Sequence, residues 1–169
     1  MSTSPSLHIV LHQPEIPQNT GNVSRTCVAI GAKLWLVRPL GFELGEKQLR
    51  RAGLDYWKYL QWEVVDRWED LPAKLAEFRP WLFTKAAPRI HTSVSYQPGD
   101  ALVFGSETTG LPPQLLQLAP ERNLRIPIGP HVRSLNLSNA VAVAAYEALR
   151  QTGYAALPRY PSADTTLDE

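Results

Sequence analysis

Three short segments of this chain gather amides, hydroxyls and single charges around or beside glycines. They are Asn19-Thr20-Gly21-Asn22-Val23-Ser24-Arg25, Phe104-Gly105-Ser106-Glu107-Thr108-Thr109-Gly110, and Ser134-Leu135-Asn136-Leu137-Ser138-Asn139. Hydrogen-bonding side chains at a strand-to-helix turn, where backbone groups are left unpaired, are what a small polar ligand requires. Glycine at such a turn, lacking Cβ, also lets the backbone approach a ligand closely. Each segment follows an apolar run that reads as a strand, so the three imply one composite site.

Other chemistries fit poorly. No Gly-x-Gly-x-x-Gly follows the first strand, and no loop ends in Gly-Lys-Ser or Gly-Lys-Thr, which argues against a dinucleotide-dependent hydride transferase. Ser106 lies in Phe-Gly-Ser-Glu-Thr rather than Gly-x-Ser-x-Gly, and nothing nominates His8, His12, His91 or His131 as its base. Cys27 is the single cysteine, so there is no disulfide framework and no multi-cysteine zinc site; its apolar neighbours give it a packing role. No metal is expected.

The elements that must position these groups alternate along the chain. Residues 7–11, 34–37, 61–65, 81–84, 101–104 and 124–128 read as apolar strands. Helices are expected over 23–30, closed by Gly31 and with Asn19 or Thr20 available at its start, over 46–52, over 70–78, over 112–118, and from about Ser138 to Gln151, stopped by Gly153. Asn136 and Ser138 are candidates to hold a substrate hydroxyl or their own loop, and Asn139 is equally a candidate to cap the last helix. Near-continuous apolar strands separated by helices indicate an α/β fold, a parallel sheet flanked by helices on both faces, whose ligands bind beyond the strands' carboxyl ends. The aromatics Tyr56, Trp57, Tyr59 and Trp62 alternate with polar residues as in a half-buried strand, a better fit than stacking on a nucleic-acid base.

The 169 residues suffice for one domain with a core of its own, expected over 1–156, with 157–169 a flexible polar tail. A net charge of +1 excludes coating nucleic acid by charge alone but not a local basic face, for which Lys47, Arg50 and Arg51, with Lys33 and Arg38, are candidates. No leader-like amino terminus and no apolar run of membrane-spanning length is present, so a cytoplasmic protein without membrane contact is expected.

In their order and spacing the three segments resemble the SPOUT superfamily of RNA methyltransferases. The likeness rests on Asn19, Gly21, Asn22 and Arg25, on Gly105, Glu107 and Gly110, and on Ser134, Asn136, Ser138 and Asn139. Two further stretches, Glu15 to Asn22 and Leu49 to Tyr56, resemble the small branch that methylates the ribose 2′-hydroxyl of the wobble nucleotide of tRNA. The resemblance implies a C-terminal trefoil knot, which periodicity cannot show, and S-adenosylmethionine bound in the knot loops. It also implies a homodimer with a site shared across the interface and the tRNA anticodon stem-loop as partner. Cofactor contacts fall on Leu82, Gly105, Ile126, Ser134 and Leu135, and the catalytic group on Arg25, Glu107 and Asn136. Glu107 is expected to orient Arg25 or loop amides. Between a base and a phosphate anchor, physical chemistry favours the anchor for Arg25, since a guanidinium with pKa above about 12 has no lone pair to take a proton. The last helix, with Ala140, Ala142, Ala144 and Ala145, is the expected dimer face. Methylation of ribosomal RNA or of another tRNA atom, or an idle RNA-binding module, are the alternatives.

Overall fold

Strand β1 (His8–His12) sits near the middle of a parallel sheet, and its alternation shows how both faces are used. Ile9 and Leu11 point to one side, into a core shared with Leu34, Leu36 and Leu102, while Val10 joins Trp35, Val37 and Val103 on the other. Both sides are therefore buried, and the strands read as unbroken apolar runs for that reason. The computed structural model describes residues 5–43, 56–155 and 157.

Among these residues the remaining strands are β2 (Lys33–Val37), β3 (Gln61–Val65), β4 (Pro80–Phe83), β5 (Arg89–Ile90), β6 (Ala101–Phe104) and β7 (Asn123–Arg125). The order across the sheet is β3-β2-β1-β6-β4-β7-β5, every pair parallel. Helices α1 (Pro17–Ile30) and α4 (Leu137–Gln151) lie together on one face; the short α2 (Leu71–Lys74) and α3 (Pro113–Leu118) contribute Leu71 and Leu115 to the other.

Local chemistry explains where the elements depart from expectation. Helix α1 starts at Pro17, not Val23, because proline has its φ preset and needs no hydrogen bond in the first turn. Asn19 and Thr20 thus lie inside the helix and do not cap it. Its end is as expected: Gly31 takes φ 67°, its N–H bonds Val28 O at 3.3 Å, and Ala32 N–H bonds Cys27 O at 2.9 Å. The helix expected over 70–78 shrinks to α2, preceded by a 3-10 turn at Trp68–Asp70; Leu75 is already extended, and its side chain is buried in the same core as Leu71. The strand expected over 124–128 ends at Arg125, since Pro127 has no N–H for a ladder.

Asn136, not Asn139, caps α4. The small residues of that helix are also placed differently from the expected dimer face. Val141, Ala144, Ala145 and Ala148 are fully buried inside this chain, and it is Asn139, Val143, Tyr146 and Arg150 that face outward. Of the aromatic quartet, only Trp62 is in a strand; Trp57–Tyr59 form a 3-10 turn that Tyr56 precedes. Of the expected basic patch, only Lys33 and Arg38 fall among the described residues, and each has an acidic partner. They occupy opposite ends of β2, Lys33 paired with Glu63 at 3.1 Å and Arg38 with Asp66 at 3.3 Å. The helix expected over 46–52, with Lys47, Arg50 and Arg51, and the tail from Pro158 lie outside the described residues.

Candidate active site

Helix α1 has no side-chain cap of its own, because Ile16 precedes it. The first amides of a helix need acceptors from elsewhere, and Glu107 supplies them from the loop after β6. Its Oε2 accepts the N–H of Glu15 at 2.8 Å; its Oε1 accepts the N–H of Ile16 and the side-chain amide of Asn19, each at 3.1 Å. A carboxylate here also meets the positive end of the helix dipole. Asn19 relays the link, its Oδ1 accepting from Asn136 Nδ2 at 2.9 Å. Asn136 Oδ1 in turn accepts the N–H of Ser138 at 2.9 Å, the N–H of Asn139 at 3.4 Å and the hydroxyl of Ser138 at 2.6 Å. One hydrogen-bond chain, Glu107–Asn19–Asn136–Ser138, therefore joins all three polar segments.

The 105–111 turn is tight. Gly110, at φ 71°, donates its N–H to Ser106 O at 2.9 Å, and the Ser106 and Thr109 hydroxyls share a 2.7 Å bond. Thr108 Oγ1 donates to the Glu15 carboxylate at 2.6 Å, a second tie to the start of α1. A Cβ at Gly105 would fall on the backbone of Gly110 and Leu111. Glycine is needed here by the turn itself, so a side chain at 105 displaces that turn instead of simply filling a ligand slot.

A cleft of about 430 Å³ opens at the carboxyl ends of β4, β6 and β7. Phe83 and Phe104, stacked with centroids 4.6 Å apart, line it together with Ile126 and Leu135, while Thr84 and Ser134 add hydroxyls. Its size is that of a small-molecule site. Gly105, Glu107, Ile126, Ser134, Leu135 and Asn136 all border this space. Leu82 does not: it packs into the opposite core beside Val10 and Val103, and Phe83 and Thr84 stand where it was expected. The period-two alternation of β4, with Trp81 and Phe83 on one face, carried that signal. Arg25 is likewise absent from the lining. It is exposed on the outer face of α1, its guanidinium 5.2 Å from the centre of the Tyr56 ring. Glu107 orients loop amides and Asn19, not Arg25.

His8, His12, His91 and His131 lie outside the cleft lining. Burial lowers the pKa of His12, which packs edge-on to Trp68, and that of His8, down to about 4, with Lys33 adding to the effect. Burial pushes the Cys27 thiol well above its usual range, which leaves it unreactive at neutral pH. Among the described residues no group of three His, Cys, Asp or Glu side chains is placed to hold a metal ion, and no helix is long and apolar enough to cross a membrane.

A parallel α/β sheet with hydrogen-bonded loops around a cleft at its carboxyl edge is the framework of the SpoU-type methylases, and the chain belongs to the SpoU rRNA Methylase family, whose model matches residues 6–146. This bears out the resemblance drawn from the three segments. Within the family the chain is similar to the tRNA (cytidine(34)-2′-O)-methyltransferase of Escherichia coli strain K12. The two are 50% identical over 153 residues, which cover 88% of this chain and 95% of the relative. It is also 50% identical, over 148 residues, to the enzyme of the same name from Methylovorus glucosotrophus, covering 87% of this chain and 96% of that one. A solved structure described as giving insights into the 2-OH methylation of C/U34 on tRNA superposes with a TM-score of 0.81 at 46% identity, over 87% of this chain and 96% of the other. An AdoMet-bound rRNA methyltransferase from Sinorhizobium meliloti, at 24% identity and TM-score 0.75 over 88% of this chain and 57% of that one, shares the fold.

Proposed function

We propose that this chain methylates the ribose 2′-hydroxyl of nucleotide 34, the wobble position of a tRNA anticodon, using S-adenosylmethionine, and that it works as a homodimer. The observation that carries this reading is the 50% identity with a tRNA (cytidine(34)-2′-O)-methyltransferase across almost the whole of both chains. The cleft suits the cofactor: Phe83, Phe104, Ile126 and Leu135 form an apolar slot for a flat ring, and the hydroxyls of Thr84 and Ser134 stand beside it. When bound, S-adenosylmethionine supplies an electrophilic methyl group to an oxygen nucleophile.

The chain's own residues then have distinct tasks. Glu107, Asn19 and Asn136 hold the three loops in one geometry, so the acceptor and donor sites keep a fixed relation. Arg25 anchors an RNA phosphate and favours negative charge growing on the ribose oxygen, acting as a two-point donor and not as a base. The 105–111 turn and residues 126, 128 and 134–136 flank the same cleft, and a knotted crossing of these segments is what membership of the superfamily implies.

Arg25 stands outside the cleft lining of its own chain, and Val143 and Tyr146 are 44% and 46% exposed on the neighbouring helix α4. These two facts support a two-fold partner that receives Arg25 at its own cleft.

Nucleoside mass spectrometry of tRNA incubated with the purified protein and S-adenosylmethionine tests the reaction. Methylation confined to the ribose of nucleotide 34 is expected; methylation of ribosomal RNA alone would reject it. Arg25→Ala should lose at least about 100-fold in single-turnover rate, the scale of one charge-stabilising donor, while calorimetry shows unchanged cofactor affinity. Mixed dimers of Arg25→Ala with Gly105→Val chains, each inactive alone, should regain about half the activity of the unsubstituted dimer, since one of the two sites carries both lesions and the other none. No recovery on mixing, or a monomer by sedimentation, would remove the shared-site arrangement.

A further inference from the structure

Tyr56, expected to pack within a strand, instead precedes a 3-10 turn and stands beside Arg25. Its hydroxyl donates to Gly21 O at 3.0 Å, and its ring lies 5.2 Å from the Arg25 guanidinium. Gly21 and Arg25 are one helical turn apart, and Gly21 O is the carbonyl that accepts Arg25's own N–H in an α-helix. A carbonyl oxygen has two lone pairs and can take both donors. The ring is thus fixed to the very turn of helix that carries Arg25.

The backbone around Tyr56 is fixed as well. Tyr59 N–H bonds Tyr56 O at 2.9 Å, closing the 3-10 turn that leads into β3, and Trp57 packs against Trp62 with centroids 5.2 Å apart. Burial, opposed in part by Arg25, raises the phenol above its usual range, so it remains a hydrogen-bond donor at neutral pH. An arginine side chain has many rotamers, and an exposed one on a helix has no reason of its own to hold a single direction.

We propose that Tyr56 is a positioning residue for methyl transfer: its ring holds the Arg25 guanidinium in the orientation in which it meets the RNA acceptor. This rests on the reading of Arg25 given above. The ring face leaves the planar edge of the guanidinium, with its N–H donors, free for a phosphate or ribose oxygen. Tyr56 contacts Arg25 and not the cleft, so it acts through Arg25 alone.

The test combines kinetics with a signature of the stack itself. In single-turnover methyl transfer at saturating tRNA and S-adenosylmethionine, Tyr56→Leu should slow the step about 5- to 30-fold, the range a partly desolvated cation–π contact spans. Tyr56→Phe, which keeps the ring, should stay within about 3-fold of the unsubstituted protein on the same grounds. Affinities for tRNA and cofactor should not move. Adding Tyr56→Leu to Arg25→Gln should leave the residual rate unchanged, because the residue it serves is already gone. Independently of activity, the Arg25 Nε–H resonance of the unsubstituted protein should be shifted upfield by the ring current, and remain so in Tyr56→Phe. Additive losses in the double variant, weaker tRNA binding with an unchanged rate, or an unshifted Arg25 resonance would each overturn the proposal. A shifted resonance in a protein that methylates no tRNA would overturn the functional reading and leave the stack standing.

Discussion

Strand β6 carries a carboxylate beyond each end, and the two are used differently. Asp100, just before the strand, is 2% exposed and accepts from Arg79 Nε at 2.7 Å, Trp81 Nε1 at 2.9 Å and the N–H of Gln97 at 2.9 Å. Glu107, just after it, also accepts from three groups, but all are neutral amides and all lie 88 to 92 residues away. Asp100 is neutralised by a cation and sealed within one stretch of chain. Among the described residues Glu107 has amides and the end of a helix dipole to balance it, and it borders the cleft. Equal numbers of hydrogen bonds therefore serve two ends: one closes the bottom of the sheet, the other assembles the site at the top.

If the contrast is right, Asp100→Ala should give the largest loss of stability, about 3 kcal/mol, because it leaves the buried Trp81 indole N–H and the Gln97 N–H without an acceptor and removes the buried partner of Arg79, which keeps only Glu77 and Pro98 O. Urea denaturation measures it, and cofactor affinity of the folded fraction should be unaffected. Glu107→Gln should cost less, about 2 kcal/mol, since one carbonyl oxygen replaces two and its NH2 group faces donors. Here methyl transfer should fall as well, by tenfold or more on the order of a 1.4 kcal/mol barrier change, and equal activity in the two variants would erase the distinction.

Gly105→Ala probes the same upper end through shape. Its Cβ meets the Gly110–Leu111 backbone, so the turn must move, and cofactor affinity by calorimetry should drop about tenfold, or 1.4 kcal/mol. The smallest effect belongs to the lower end. His8, whose N–H bonds Asp100 O at 2.9 Å, has its pKa lowered from 6.5 to about 4 by burial and then by Lys33. The unfolded chain therefore binds that proton first, and stability should decline as pH falls from about 6.5 to about 4 and level off below. His8→Gln, which keeps an acceptor for the Trp35 indole at 3.1 Å, should shallow this decline by about 1 kcal/mol at pH near 5, allowing for solvent screening. His12, shifted in the same direction, keeps part of the slope. An unchanged slope would mean that His8 is no more buried folded than unfolded.

Strands were legible in the sequence where apolar residues ran together, as in 101–104, whose bounds agree with β6. The ends that moved did so for reasons outside the window read. Helix α1 starts at Pro17, whose ring suits a first turn, but the acceptor for the Glu15 and Ile16 N–H groups just before it is a distant glutamate that no local pattern announces. The three polar segments could be assigned to one site because each follows a strand of one parallel sheet. Which side chains line the cleft was less accessible: alternation puts Leu82 and Phe83 on opposite faces, but both are apolar, and only strand pairing and packing show which face meets the cleft.

By itself, then, the sequence determined the alternation of strands and helices, the glycine-marked polar loops, and the pairing of Gly31 with a helix end, since these rest on local sterics and on apolar burial. Tertiary structure alone decided that Glu107 and Asn136 are joined through Asn19, that Ala144, Ala145 and Ala148 of α4 face inward, and that Tyr56 lies beside Arg25. Each of those is a contact between residues far apart in the chain, or a choice between two faces of one element. Such a choice follows from which surfaces meet when the sheet closes, and residue type alone carries no record of it.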